Sequence, residues 1–181
     1  MNVFSVRTTV QSEEAIVDFL GDVKAISDCL IHGRTEASKL GLPLRAVAQR
    51  GYTVANLATT DLIAASIRVP VFSPRFANVM GEALSQEMEF IPCGVECEGQ
   101  TIECFAGRIL KELPLVDASK SEFRKLASGG SMLLRAVYRT SFEADFLIAR
   151  DVESRVRFVV SERFKALCTT NALQVEFGRP V

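Results

Sequence analysis

Val71-Phe72-Ser73-Pro74-Arg75-Phe76 and, 88 residues further on, Val159-Val160-Ser161-Glu162-Arg163-Phe164 are two versions of one phrase. Each opens on an apolar pair suited to a buried strand. Each then places a serine where its oxygen can accept from the first free N–H groups of a helix. In the first copy Pro74 follows at the first helical position, where a missing N–H costs nothing. Phe76, Val79, Met80, Ala83 and Leu84 then recur at the spacing of one helical face. Phe164, Leu167, Cys168 and Ala172 take the corresponding places in the second copy, with Asn171 interrupting the stripe and shortening it. A strand-like run closes both, Met88-Glu89-Phe90 and Val175-Glu176-Phe177. Solenoid repeats are shorter and more numerous, so a pair at this interval predicts one supersecondary unit used twice in one fold. The expected duplication covers about 67–92 and 156–180.

Outward from the repeats, Met88 to Cys97 and Thr101 to Arg108 read as a hairpin turning at Glu98-Gly99-Gln100. Residues 2–7 read as an opening strand, and Ser12 followed by Glu13, Glu14 and the apolar positions to Leu20 reads as a capped helix. Between Gly21 and Leu62 the pattern predicts short strands and loops, among them Leu42 to Val47 and Thr53 to Leu57. Ser121 to Leu126 reads as a helical turn, and Met132 to Arg139 and Phe146 to Ala149 as strands. Strands and helices intermingle without βαβ alternation, so the expected class is α+β, a largely antiparallel sheet with a few packed helices. No linker divides the chain; a single domain, 1–181, is expected, with parts 1–66 and 67–181 packed together.

The 181 residues are 48% apolar, enough for a substantial core, and the formal net charge is −1. Near-neutrality argues against bulk attraction to nucleic acid or to an anionic membrane. The N-terminal residues lack a basic segment followed by an apolar run, and five cysteines suit reduced thiols, so a cytoplasmic protein is expected. The balance of charge hides a polarity. Residues 76–103 hold six glutamates and no lysine or arginine, whereas 104–181 hold 13 basic and 9 acidic residues. Such a run is ordinarily a solvated face; its functional reading is a negative surface that steers a basic protein partner.

Catalytic constellations are weak. Cys93, Cys97 and Cys104 with Cys29 and His32 lack the paired spacing of a zinc site, and Cys93, Val95 and Cys97 share parity on an apolar strand face, which suits core packing. His32 is the single histidine, followed by Gly33, and reads as a helix-terminal residue with nothing to orient it as a base. Ser128-Gly129-Gly130-Ser131 lacks the lysine of a phosphate loop. No catalytic residue, cofactor or metal is expected. The competing reading is a small Cys/His- or zinc-dependent enzyme, and a third is a purely structural interaction module.

The strand, Ser-x-Arg-Phe, helix and closing Val175-Glu176-Phe177 with Pro180-Val181 resemble the end of bacterial polymorphic-toxin immunity proteins of the eleventh immunity family. The resemblance extends to Pro70 through Phe76, Glu89-Phe90-Ile91-Pro92, Leu115-Val116-Asp117, Ser121-Glu122-Phe123 and Asp145-Phe146-Leu147. Asp61 follows a threonine where the family pattern has a proline. The resemblance implies a non-enzymatic inhibitor that binds a cognate toxin stoichiometrically. Joined to the charge pattern, it places the expected contact surface on Glu87, Glu89, Glu96, Glu98 and Glu103, with Glu96 and Glu98 at the hairpin turn.

Overall fold

The computed structural model describes residues 2–180. Its first half contains β1 (Val3–Arg7), β2 (Val17–Phe19), α1 (Val23–Leu30), β3 (Leu44–Ala48), α2 (Val54–Leu57), β4 (Leu62–Ile63) and β5 (Val71–Phe72). There follow α3 (Pro74–Leu84), β6 (Met88–Cys97), β7 (Gln100–Ile109), β8 (Glu112–Leu113), β9 (Glu122–Lys125) and β10 (Ser131–Arg135). The chain closes with β11 (Ile148–Asp151), β12 (Phe158–Ser161), α4 (Glu162–Thr170) and β13 (Glu176–Pro180). One sheet has the order β2-β3-β6-β7-β5-β4, a second β13-β1-β12-β11-β8, and β9-β10 is a separate ribbon. Among the described strand pairs only β3–β6 and β8–β11 are parallel. The class is α+β and mostly antiparallel.

Both copies of the phrase form a strand, helix and strand, and their local topology matches. β5 and β6 flank β7 and run antiparallel to it. β12 and β13 flank β1 in the same way. Ser73 Oγ accepts from Phe76 N at 3.0 Å and Ser161 Oγ from Phe164 N at 3.2 Å, so both serines cap as their position requires. The second helix is shorter, ending at Thr170 with Asn171 as its C-cap.

Side-chain alternation divides the interior into three layers. Val71, Cys93, Val95, Cys104 and Ala106 face α1 and α2 on one side of the six-stranded sheet. Phe72, Met88 and Ile109 face the other way and join Phe76 and Met80 of α3, Phe164 and Cys168 of α4, and Phe4, Ile148 and Val160 of the five-stranded sheet. Val3, Ala149 and Val159 cover that sheet's far side with Leu115 and Phe146. The central layer holds a continuous aromatic chain. Phe72 stacks on Phe76 at 4.1 Å between centroids, Phe76 meets Phe164 at 6.0 Å, and Phe164 meets Phe177 at 6.3 Å. The two phenylalanines of the repeated phrase therefore touch.

Several expectations are corrected. Residues 13–20 form a turn and β2, because Ala15, Val17 and Phe19 are buried alternately, a period of two that outweighs the acidic cap signal. Residues 23–30 are a helix, capped by Asp22 and anchored by Ile26, Cys29 and Leu30. Thr53 opens α2 through a capping box with Asn56 where a strand was expected. The run from Ser121 to Leu126 holds strand β9 (Glu122–Lys125), not a helical turn. The β6–β7 hairpin matches its expected bounds closely; Glu98 and Gly99 have φ of 49° and 76°, the two-residue turn that suits strand twist.

Candidate partner-binding face

β3, β6 and β7 extend beyond the region that α3 and α4 cover, leaving one face of the six-stranded sheet open at that end. The registers set Arg45 beside Gly94, Gly94 beside Glu103, and Glu96 beside Val47 and Thr101. Asp18 lies beside Val47 on β2, the edge strand. These positions share the parity of Met88, which faces the central layer farther along β6. Asp18, Arg45, Glu96, Thr101 and Glu103 thus line one exposed polar surface. Arg45 Nε donates to Glu96 Oε1 at 3.2 Å, and Gln49 donates to Asp18. Glu103 has no ion-pair partner among the described residues and keeps the surface acidic.

The five glutamates expected to act together are dispersed. Glu96 and Glu103 lie on this face, and Glu98 at the adjoining turn accepts from Val54 N at 2.9 Å, closing the first turn of α2. Glu89 lies at the other end of the hairpin on the opposite face, 3.3 Å from Arg108. Glu87 is half-buried, and its Oε2 accepts from Leu147 N and Ile148 N at 2.7 and 2.9 Å, tying the end of α3 to β11. Its carboxylate is committed to the backbone.

Beside the open face, Thr101 and Glu103 also line an open cleft of about 700 Å³ with Asp61, Ser73, Arg75 and Gln174. Asp61 is 3% exposed. Ser73 donates to its Oδ1, and Gln174 N donates to its Oδ2 at 2.6 Å. Arg75 Nη2 donates to the carbonyls of Asn171 and Ala172 at 3.0 and 2.6 Å, where α4 ends and Ala172 turns at a φ of 51°. The arginine of the first phrase clamps the helix of the second, whereas Arg163 projects into solvent. Both Asp61 oxygens, the Ser73 hydroxyl and the Arg75 guanidinium have partners, so the cluster reads as a brace between the two units. A buried carboxylate needs such acceptor satisfaction.

The alternative cysteine and histidine chemistry is scattered. All five cysteines are free and buried, and burial pushes the Cys93, Cys104 and Cys168 thiols up to about 12. Such thiols are poor nucleophiles near neutral pH. His32 follows the C-cap of α1, its N–H donating to Ser27 O at 3.1 Å, while Cys29 points into the core. No group of three or more potential metal ligands occurs among the described residues. No helix among them is long and apolar enough to cross a membrane.

Sequence reasoning found Glu96 and Glu103 by charge but missed Asp18 and Arg45 as their neighbours. Their juxtaposition depends on the parallel β3–β6 pairing, which no local pattern encodes. No protein-family model matches the chain, and no curated protein matches it.

Proposed function

We propose that this chain is an immunity protein that binds and neutralises a cognate bacterial toxin by stoichiometric protein–protein interaction in the cytoplasm, without catalysis. The observation that carries the reading is the pairing of the family-like framework with an exposed face. The repeated Ser-x-Arg-Phe phrases are used for capping and core packing, and the acidic surface around Glu96 and Glu103 is left open beside them. Carboxylates on an exposed sheet steer association with a basic surface while contributing little to the fold.

The test is co-expression with a candidate toxin, sought among the genes that neighbour the one for this chain. Survival of the host and recovery of a complex of fixed stoichiometry are the expected results. Killing despite a folded, abundant protein refutes the proposal. Turnover of a substrate by the isolated chain would favour the enzyme reading.

A further inference from the structure

Arg45, a member of the open acidic face, also walls a pocket. β2 and β3 stay paired one step past Phe19: Leu20 N donates to Arg45 O at 2.8 Å, so Leu20 lies opposite Arg45 as Phe19 lies opposite Ala46. Leu20 shares the parity of Asp18 and so belongs to the outer face. Arg45 in turn lies beside Gly94, and Gly94 beside Glu103. One row therefore crosses four strands as Leu20, Arg45, Gly94 and Glu103. The adjoining row reads Asp18, Val47, Glu96 and Thr101.

At its Leu20 end the row becomes concave and apolar. A pocket of about 380 Å³ opens there between the start of α1 and the segment leading into β3. Leu20, Ile26, Leu40 and Pro43 give it apolar walls. A cavity of about 150 Å³ holds benzene, so there is room for a large side chain such as an indole. Leu20 is more than a third exposed, and so are Val23 and Leu42, each next in sequence to a lining residue. Single exposed apolar side chains are ordinary, but a group of them around a concavity marks a contact site. Asp22 and Lys39 also line the pocket and carry opposite charges, which suits it to an uncharged occupant. The face beyond sets the carboxylates of Asp18, Glu96 and Glu103 against the single guanidinium of Arg45, which suits it to a cation.

We propose that the pocket and the acidic face are one docking surface for a protein segment carrying an uncharged aromatic or large aliphatic side chain and, about 10–15 Å from it, a lysine or arginine. That spacing is two to three interstrand steps of about 4.8 Å, the separation of Glu103 from Arg45 and Leu20 at the pocket wall. An anchor buried in a pocket and ringed by polar contacts concentrates the energy of a protein interface and sets its dissociation rate. The carboxylates steer the approach. Resting on the partner-binding reading of the acidic face, the pairing adds the two side chains that the partner must present there.

The test begins without a toxin. The intact, isotopically labelled protein is titrated at low salt with acetyl-Trp-Gly-Gly-Gly-Lys-amide, whose lysine lies about 13 Å along the extended chain from its tryptophan, and with the same peptide ending in glutamate. The backbone amides of Leu20, Ala25, Ile26 and Leu40 should shift together at millimolar peptide. The lysine peptide should bind severalfold more tightly, and salt should remove the difference. Glu96→Gln with Glu103→Gln should erase that preference and keep the shifts. Gly41→Trp fills the pocket: Gly41 lines it, its backbone is not left-handed, and a Cβ there meets nothing within 4 Å. It should abolish the shifts, and Leu20→Ser serves in its place if it does not fold. Once a toxin complex is in hand, Gly41→Trp should weaken it about tenfold or more, chiefly through faster dissociation. The proposal is overturned if neither peptide moves the pocket amides, if the two peptides bind equally at low salt, or if both pocket variants bind peptide or toxin as the parent does. Peptide binding without any toxin complex supports the docking surface and counts against the toxin reading alone. A toxin complex indifferent to Gly41→Trp does the reverse.

Discussion

Raising the pH from 7 to 10 should remove about 4 kcal/mol of folding stability through three thiols. Cys93, Cys104 and Cys168 are held up to about 12 by burial, against 9.0 for an unhindered thiol. For each, the folded pKa lies above the unfolded one. The full stability is therefore present below pH 9 and is lost as pH rises toward 12, because only the unfolded chain ionises in that window. At pH 10 a group shifted from 9 to about 12 forfeits between 1 and 2 kcal/mol. Three such groups lose about 4 kcal/mol, a large share of the 5–15 kcal/mol typical of a domain. Tyr52 and Cys97, both raised chiefly by burial, act in the same direction. Arg150, lowered to about 10 by burial, opposes them: its folded form gives up a proton that the unfolded form keeps to higher pH, for a gain well under 1 kcal/mol at pH 10. Urea unfolding followed by circular dichroism at pH 7, 9 and 10 measures the loss. Thiolate absorbance near 240 nm should stay low in the folded protein and rise on unfolding. Cys168→Ala should start less stable, from its cavity, yet lose about a third less between pH 7 and 10. Stability that is flat within about 1 kcal/mol to pH 10, or thiolate signal in the folded state at pH 9, refutes the reasoning.

Other substitutions test the frame and the face. A Cβ on Gly51 would fall 2.2 Å from Ala15 N and 2.4 Å from Glu14 C, both backbone atoms, so Gly51→Ala should cost about 3 kcal/mol or more by denaturant unfolding. Asp61→Ala removes the acceptor for Ser73 and Gln174 and should cost about 2–4 kcal/mol, with Asp61→Asn costing less. Glu96→Lys combined with Glu103→Lys should leave stability within about 1 kcal/mol of the parent and slow toxin association severalfold at low salt, with a weaker salt dependence. Unchanged association kinetics would remove this face from the binding surface.

The repeated phrase was legible because capping and helical spacing are local rules, and here they agree: Ser73, Pro74 and the Phe76, Met80, Leu84 stripe all point to one helix. The hairpin was legible for the same reason, its apolar alternation bracketing a two-residue turn. β2 and β9 were lost because each offers a helical cue, Ser12 with two glutamates and Ser121 with Glu122, beside a strand too short to show its period. β9 buries neither face, so its sequence carries no alternation at all. The open face was half legible. Charge singled out Glu96 and Glu103, but Glu87 has the same chemistry and serves the backbone of β11 instead. Arg150 was invisible, since an arginine in an apolar strand gives no sign of whether a carboxylate waits opposite it.

Phe4 of β1 pairs with Val160 on one side and Pro180 on the other. During synthesis β1 therefore emerges with both of its hydrogen-bonding edges open and must wait for β12 and β13. The six-stranded sheet draws all its strands from residues 17–109 and can assemble before those two are made; the five-stranded one cannot. Closing so long a loop late predicts slow folding and a nascent chain whose leading segment needs shielding by chaperones.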